Sequence, residues 1–290
     1  MPQVASNPVA WGDRHLPYSA IQLDKPWQGP DEVKPWDRPV TIVAAHLNTS
    51  ELIDTFITSW LLQSIDCNLV IVDTGSSERH MAVLREWERR ESRVEVHQLH
   101  FKAVKHPSDP VAIAMDLAFS LCTTPYMFAT HVDCFPVRQD LVESFIEAAK
   151  ASGDPVAGYQ ITPRAGIDTE GWVGHTATLF DMTRADELNL AWSQRKLCQL
   201  TGMDHFGNNR CGGYPDTEFL INKQLDLVGI PRLIMGTEEN YVTTDDANIV
   251  HVRSYASSKL YSPDHHSKAT VDMEKALVET KERIELWKSM

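Results

Sequence analysis

Short unbroken apolar runs recur between residues 40 and 131, and each is followed by a stretch with helical spacing. The runs VTIVAA at 40–45, NLVIVD at 68–73, a shorter one at 94–98 and YMFATH at 126–131 read as buried strands. Between them the spacing predicts helices over 51–64, with Ser50 as N-cap, over 78–91, and over 110–122 with Pro110 in the first turn. A further helix is expected over 139–151. Strands joined through helices can pair in parallel, because a parallel pair needs a long crossover. The alternation therefore predicts an α/β fold with a mostly parallel sheet and helices on both faces.

After residue 152 the pattern loosens. Strands are expected at 156–161, 176–180 and 248–252, and helices at 216–227 and 271–287. Residues 1–39 hold seven of the 16 prolines and three of the eight tryptophans. That proline density opposes regular structure, while Trp11, Trp27 and Trp36 suggest an arm packed along the protein's own body. The chain divides on this reading into a 1–39 arm, a 40–152 nucleotide-binding half, a 153–270 acceptor half and a 271–290 terminal helix.

Composition narrows the class. Hydrophobic residues make up 42% of the chain, which supports a packed core and argues against global disorder. A net charge of -13 argues against bulk attraction to nucleic-acid phosphates. Five scattered cysteines without a CxxC pair read as reduced, packed thiols of a cytoplasmic-type compartment. No apolar stretch reaches the ~18 residues of a membrane span, and no secretion signal is expected.

The fourth apolar run ends in His131-Val132-Asp133. Residues two apart on a strand share a face, so the pair points one way at the carboxyl edge of the sheet, where open α/β sheets bind ligands. Asp133 suits a hard divalent cation, and His131 suits the same ion or a hydrogen bond to a nucleotide. The plainer reading is a strand-end pair satisfied by loop backbone. Asp73 ends the second run before Thr74-Gly75-Ser76-Ser77. It suits a base or ribose contact, or equally a cap on its own turn with Ser76 or Ser77 capping the next helix. Neither GxGxxG nor GxxxxGK[ST] is present. His97 and His100 have HxxH spacing, but a strand points them to opposite faces.

The blocks VTIVAAHLNTSE, LVIVDTGSS and TPYMFATHVDCFP together resemble a family 2-type glycosyltransferase of GT-A fold over roughly residues 40–150. The resemblance implies a nucleotide-contacting loop at Ala44–Asn48, with Ala45 and Asn48 as contacts. It implies that Asp73 holds the nucleoside and that His131-Val132-Asp133 stands at the DxD position. His131 departs from the first aspartate of that motif. Met115 stands where the family commonly carries an arginine, a charge that Lys102, Lys105 or Arg164 would have to replace. From CGGYPDTEF the resemblance implies Asp216 as catalytic base, with Glu218 in reserve. It implies His251 as a metal ligand beside Asp133. Such a base would deprotonate an acceptor hydroxyl and invert the anomeric carbon.

Trp172, His175 and Tyr214 are candidates for an acceptor surface, since aromatic faces stack on sugar rings. Trp192 reads mainly as core, and His265-His266 as a polar-loop pair. The expected cofactors are Mn2+ or Mg2+ with a nucleoside-diphosphate sugar donor, UDP-linked being the most common choice. A sugar nucleotidyltransferase would carry a glycine-rich basic loop after the first strand, where this chain has HLNTSE. A silent nucleotide-binding module is the third reading, kept open by His131.

Overall fold

The computed structural model of the chain describes residues 21–23, 38–101, 108–161, 169–184, 188, 190–192, 217–237, 248–251 and 263–290. Its centre is a set of strands buried on both faces, which explains their near-continuous apolar sequence. Strand β2 (Val40–His46) and β3 (Cys67–Asp73) are buried along almost their whole length. They pair in parallel, as do β3 with β4 (Val94–Phe101) and β2 with β5 (Tyr126–His131). The remaining strands are β1 (Ile21–Leu23), β6 (Cys134–Pro136), β7 (Val156–Gln160), β8 (Val173–Asp181), β9 (Leu233–Thr237) and β10 (Ile249–His251). The main sheet runs β1-β4-β3-β2-β5-β8-β7-β9, and β10 pairs with β6 in a separate two-stranded ribbon.

The mostly parallel core expected from the alternation is thus present, with antiparallel additions at β1 and β8. Ile21–Leu23 corrects the reading of the arm as devoid of regular structure. Those residues cover the outer edge of β4 and follow Pro17 rather than containing a proline, so each can donate to the ladder.

Helices cover both faces. Helices α1 (Ser50–Leu61), α2 (Glu78–Arg90), α4 (Leu141–Ser152) and α6 (Pro263–Ser289) pack on one side. In α2 only Met81, Leu84 and Trp87 are buried, three residues apart along an otherwise charged helix. Helices α3 (Ser108–Leu121) and α5 (Thr217–Val228) pack on the other side with Leu190 and Trp192. Trp192 is fully buried against Phe119 and Phe180, as its core reading expected. Helix α4 ends at Gly153, whose φ of 78° is the left-handed cap that glycine adopts without strain. Helix α6 begins earlier than expected, so His265 and His266 fall in its first turn and not in a loop. No described helix is long and apolar enough to cross a membrane.

The order 4-3-2-5 fixes where a ligand fits. The chain steps from β2 outward to β3 and β4, with α1 and α2 on one face. It then crosses by α3 on the opposite face to reach β5, on the far side of β2. The carboxyl ends of β2 and β5 therefore flank the point where the winding reverses. In open α/β sheets such a reversal is where ligands bind, outside the carboxyl ends of the strands.

Candidate functional site

Register places a row of polar side chains along that carboxyl edge. His46 pairs with Asp73, Asp73 with Gln98, and Ala45 with His131. Among the described residues two clusters form, one on each side of the reversal.

The first cluster is closed on itself. His46 and Asp73 are both buried, with His46 Nδ1 at 2.8 Å from Asp73 Oδ1. The Thr49 backbone N–H donates to His46 Nε2 at 3.3 Å, which leaves Nδ1 to carry the proton given to Asp73. Ser76 Oγ also donates to Oδ1. The other oxygen, Oδ2, accepts from Gly75 N, Ser76 N and Gln98 Nε2 at 3.0, 2.8 and 3.2 Å. Burial opposes ionisation of Asp73, but the bonds from His46 and Ser76 outweigh it and hold its pKa below the ordinary carboxylate value. Of the two readings open in the sequence, these bonds are those of a turn cap. A nucleoside contact would have to compete with donors already occupying both oxygens.

The same cluster ties two loops together. Asn48 N donates to Ser76 Oγ at 2.7 Å, and Ser77 N donates to Asn48 Oδ1 at 3.1 Å. Asn48 takes a φ of 49°, a left-handed turn that asparagine tolerates. The N-cap of α1 is Thr49, without a side-chain cap bond, and the first helical residue is Ser50. Ser50 N and Oγ instead reach His80 Nδ1 of α2 at 3.3 and 2.7 Å. Ser50 as N-cap is thereby corrected, because a neighbouring helix supplies the acceptor that a cap would.

The second cluster forms at the end of β5. Val132 and Asp133 make a tight turn into β6, and β10 lies antiparallel to β6 with His251 directly opposite Cys134. This carries His251 to within 3.6 Å of Asp133, Nε2 to Oδ1. The rings of His131 and His251 stack at 5.8 Å, tilted by only 10°. Asp133 is 5% exposed and Cys134 is fully buried. The ribbon is anchored from below by Trp60, whose indole N–H donates to the Cys134 carbonyl at 3.1 Å. Burial pushes the Cys134 thiol well above its ordinary pKa, and the Asp133 charge adds to the rise. A cation bound beside it would favour the thiolate.

These residues fit a divalent cation. Ligand bonds of about 2.1–2.3 Å separate neighbouring ligand atoms on one ion by about 3.0–3.8 Å. The Asp133–His251 separation of 3.6 Å falls in that range. Asp133, Cys134 and His251 each offer a ligand atom, all within 4.8 Å of one another. The pairing of Asp133 with His251 was implied by the resemblance, whereas Cys134 was not singled out. Part of its signal was available, since Cys134 is adjacent to Asp133 and a strand was expected at 248–252, but the pairing of that strand with Cys134 was not.

Other candidates lie elsewhere. Trp172 is 4% exposed, with its indole N–H 3.2 Å from Asp226 and the Lys223 ammonium over its ring. Its face is covered by α5, so it holds that helix to β8 where an acceptor surface was expected. Asn222 completes the junction by bracketing the Val173 backbone, at 2.9 Å to N and 2.7 Å to O. His175 falls on β8 and Glu218 in the first turn of α5, with both side chains outside the described set. Asp216, Tyr214, Lys102, Lys105 and Arg164 lie outside the described residues. His97 pairs with Glu95 at 2.6 Å, and His100 is exposed. Met115 and Asp116 are buried, and Asp116 accepts from Trp192 N at 2.7 Å.

No family model and no curated protein matches the sequence. Among solved structures, the chain is similar to the mannosyltransferase PcManGT from Pyrobaculum calidifontis, solved in complex with GDP-Man and Mn2+. The identity is 13% over 91% of this chain and 77% of that one, with a TM-score of 0.47. It is also similar to a structure of S. aureus TarS 1–349, at 8% identity over 65% of this chain and 64% of that one, TM-score 0.40. A longer S. aureus TarS structure matches at 8% identity and TM-score 0.41, with 38% of that chain covered. At such identities a functional reading has to stand on the chain's own side chains.

Proposed function

We propose that this chain is a glycosyltransferase that moves a sugar from a nucleoside-diphosphate sugar to an acceptor hydroxyl, with a divalent cation held by Asp133 and His251. The observation that carries the reading is the 3.6 Å approach of these two side chains at the carboxyl edge, beside the reversal of the winding. The cation, Mn2+ or Mg2+, would neutralise the charge that grows on the leaving diphosphate.

The chain's own residues set the rest. Asp133 and His251 would hold the ion, which would supply positive charge to the donor's diphosphate. The parallel His131 ring restrains the His251 imidazole and walls the site on the β5 side. The Ala44–Asn48 segment, whose residues Ala44–His46 end β2 rather than forming a loop, is clamped at Asn48 to Ser76 and Ser77 on the other side of the reversal. In this reading His46, Asp73 and Ser76 position the nucleoside-binding loop, and Asp73 does so through the bonds it makes to the loops. Asp216, immediately before α5, is the candidate base for the acceptor hydroxyl, with Glu218 next in line. Inversion follows from that assignment, and a UDP-linked donor, the most common choice, is part of the proposal.

The test is a thermal-shift panel of nucleoside diphosphates with and without Mn2+. At a ligand concentration about 100 times Kd, binding adds about 2.7 kcal/mol of stability. For a chain of this size that is a rise of roughly 5 °C. The rise should require Mn2+ and vanish in Asp133→Ala, whose own melting should stay near that of the parent. A panel with no metal-dependent shift for any nucleotide would defeat the reading. Release of pyrophosphate from a nucleoside triphosphate would favour the nucleotidyltransferase instead.

A further inference from the structure

The ribbon of β6 and β10 places a sulfur beside the proposed cation site. Cys134 and His251 are directly paired across an antiparallel ladder. Directly opposed residues project from the same face, with their Cβ atoms about 4.5–5.5 Å apart. Asp133 precedes Cys134 at the turn, so three donors of different chemistry converge from two strands. Their ligand atoms lie within 4.8 Å of one another. The three are held from several directions. Trp60 fixes the Cys134 carbonyl, Phe135 is fully buried next to it, and His131 stacks on His251.

We propose that Cys134 is a third protein ligand, making an Asp133–Cys134–His251 site that favours a thiophilic or borderline divalent cation such as Zn2+ or Co2+ over Mg2+. The proposal rests on the reading of Asp133 and His251 as a cation pair and adds its metal preference. The thiol binds as thiolate, releasing its proton to solvent, and the metal–sulfur bond replaces the S–H bond with no change of oxidation state. Carboxylate and imidazole alone would accept Mg2+ or Mn2+. A thiolate shifts the preference, because soft ligands select Zn2+ over oxygen-loving ions. The three donors leave positions open on the ion, which a closed structural zinc site would not.

The experiment is a Co2+ titration of the intact chain followed by optical absorption, with Mn2+ and Mg2+ as competitors. The expected result is a sulfur-to-cobalt charge-transfer band in the near ultraviolet together with visible d–d bands. Zn2+ should displace the cobalt, and Mg2+ should not. In Cys134→Ser the charge-transfer band should disappear while the d–d bands persist. Affinity should fall by at least the ~10-fold that even an outer-shell change costs. His251→Ala, at a partly exposed position, should weaken binding without touching the sulfur.

The parent protein alone can overturn the proposal, so a poorly folding Cys134 variant does not shield it. Cobalt binding with d–d bands and no charge-transfer band removes Cys134 from the site and leaves the Asp133–His251 pair standing. A charge-transfer band that survives in Cys134→Ser assigns the sulfur to another cysteine and overturns the proposal likewise. Failure of every divalent cation to bind overturns both this proposal and the cation-assisted transfer.

Discussion

Replacing Asp73 by asparagine separates the two roles that the sequence left open for it. The substitution keeps the shape of the side chain and converts one acceptor oxygen into a donor NH2. In the folded protein Oδ1 receives His46 Nδ1 and Ser76 Oγ, and Oδ2 receives Gly75 N, Ser76 N and Gln98 Nε2. Whichever way the amide turns, at least two buried donors face another donor. Each unsatisfied buried donor costs about 1–3 kcal/mol, so the loss from two is roughly 2–6 kcal/mol. At about 2 °C per kcal/mol for a chain of this length, Asp73→Asn should melt roughly 4–12 °C below the parent at pH 7.

The same comparison carries a pH signature. The Asp73 pKa is lowered in the folded state; burial works against this, and the His46 and Ser76 bonds prevail. A lowered carboxylate contributes stability that is fully present above its unfolded value of about 3.9 and is lost as pH falls through the folded value. The gap between parent and variant should therefore be constant near neutrality and narrow below about pH 4. Melting curves by circular dichroism from pH 7 to pH 3 measure both effects. If Asp73→Asn melts with the parent at pH 7 but no longer binds any nucleotide, the carboxylate reads a ligand and the clamp described above is wrong.

Two further substitutions test the framework around the site. A Cβ added at Gly158 would sit 2.8 Å from Thr178 Oγ1 and 2.9 Å from Val173 Cβ, closer than real contacts allow. Gly158→Ala should therefore cost about 1–3 kcal/mol through displacement of β8, visible as a lower denaturation midpoint with an unchanged slope. Trp172→Phe removes the indole bond to Asp226, whose other oxygen stays paired with Arg232. A loss of about 1 kcal/mol and unchanged acceptor kinetics are expected, whereas a raised acceptor KM at unchanged stability would return Trp172 to the acceptor surface.

What the sequence made legible was whatever depends on local pattern. Strands β2, β3 and β5 are apolar on both faces, so they stand out without reference to partners, and their positions were read nearly to the residue. Strand β1 at Ile21–Leu23 was missed because three residues carry no period, and only the exposed edge of β4 makes them a strand. β6 was missed for the same reason, since its partner β10 is 110 or more residues away. His46 was overlooked although it gave the same signal as His131, a polar side chain ending a buried strand. Its meaning depends on a register that pairs it with Asp73, and register is a property of two strands.

Asp73 and Asp133 show how far such signals reach. Both follow an apolar run, both stand at the carboxyl edge, and both are almost wholly buried. Their chemistry diverges through what comes next. After Asp73 the chain offers Gly75 and Ser76, whose N–H groups fold back onto the carboxylate and hold it with nearby donors. After Asp133 the chain turns directly into β6, and β10 brings His251 Nε2 to 3.6 Å from its Oδ1, beyond hydrogen-bond length. One carboxylate is enclosed by donors, which suits it to hold loops in place. The other faces a histidine and a thiol, groups that bind cations, and the ion they would share is the condition on which the proposed transfer depends.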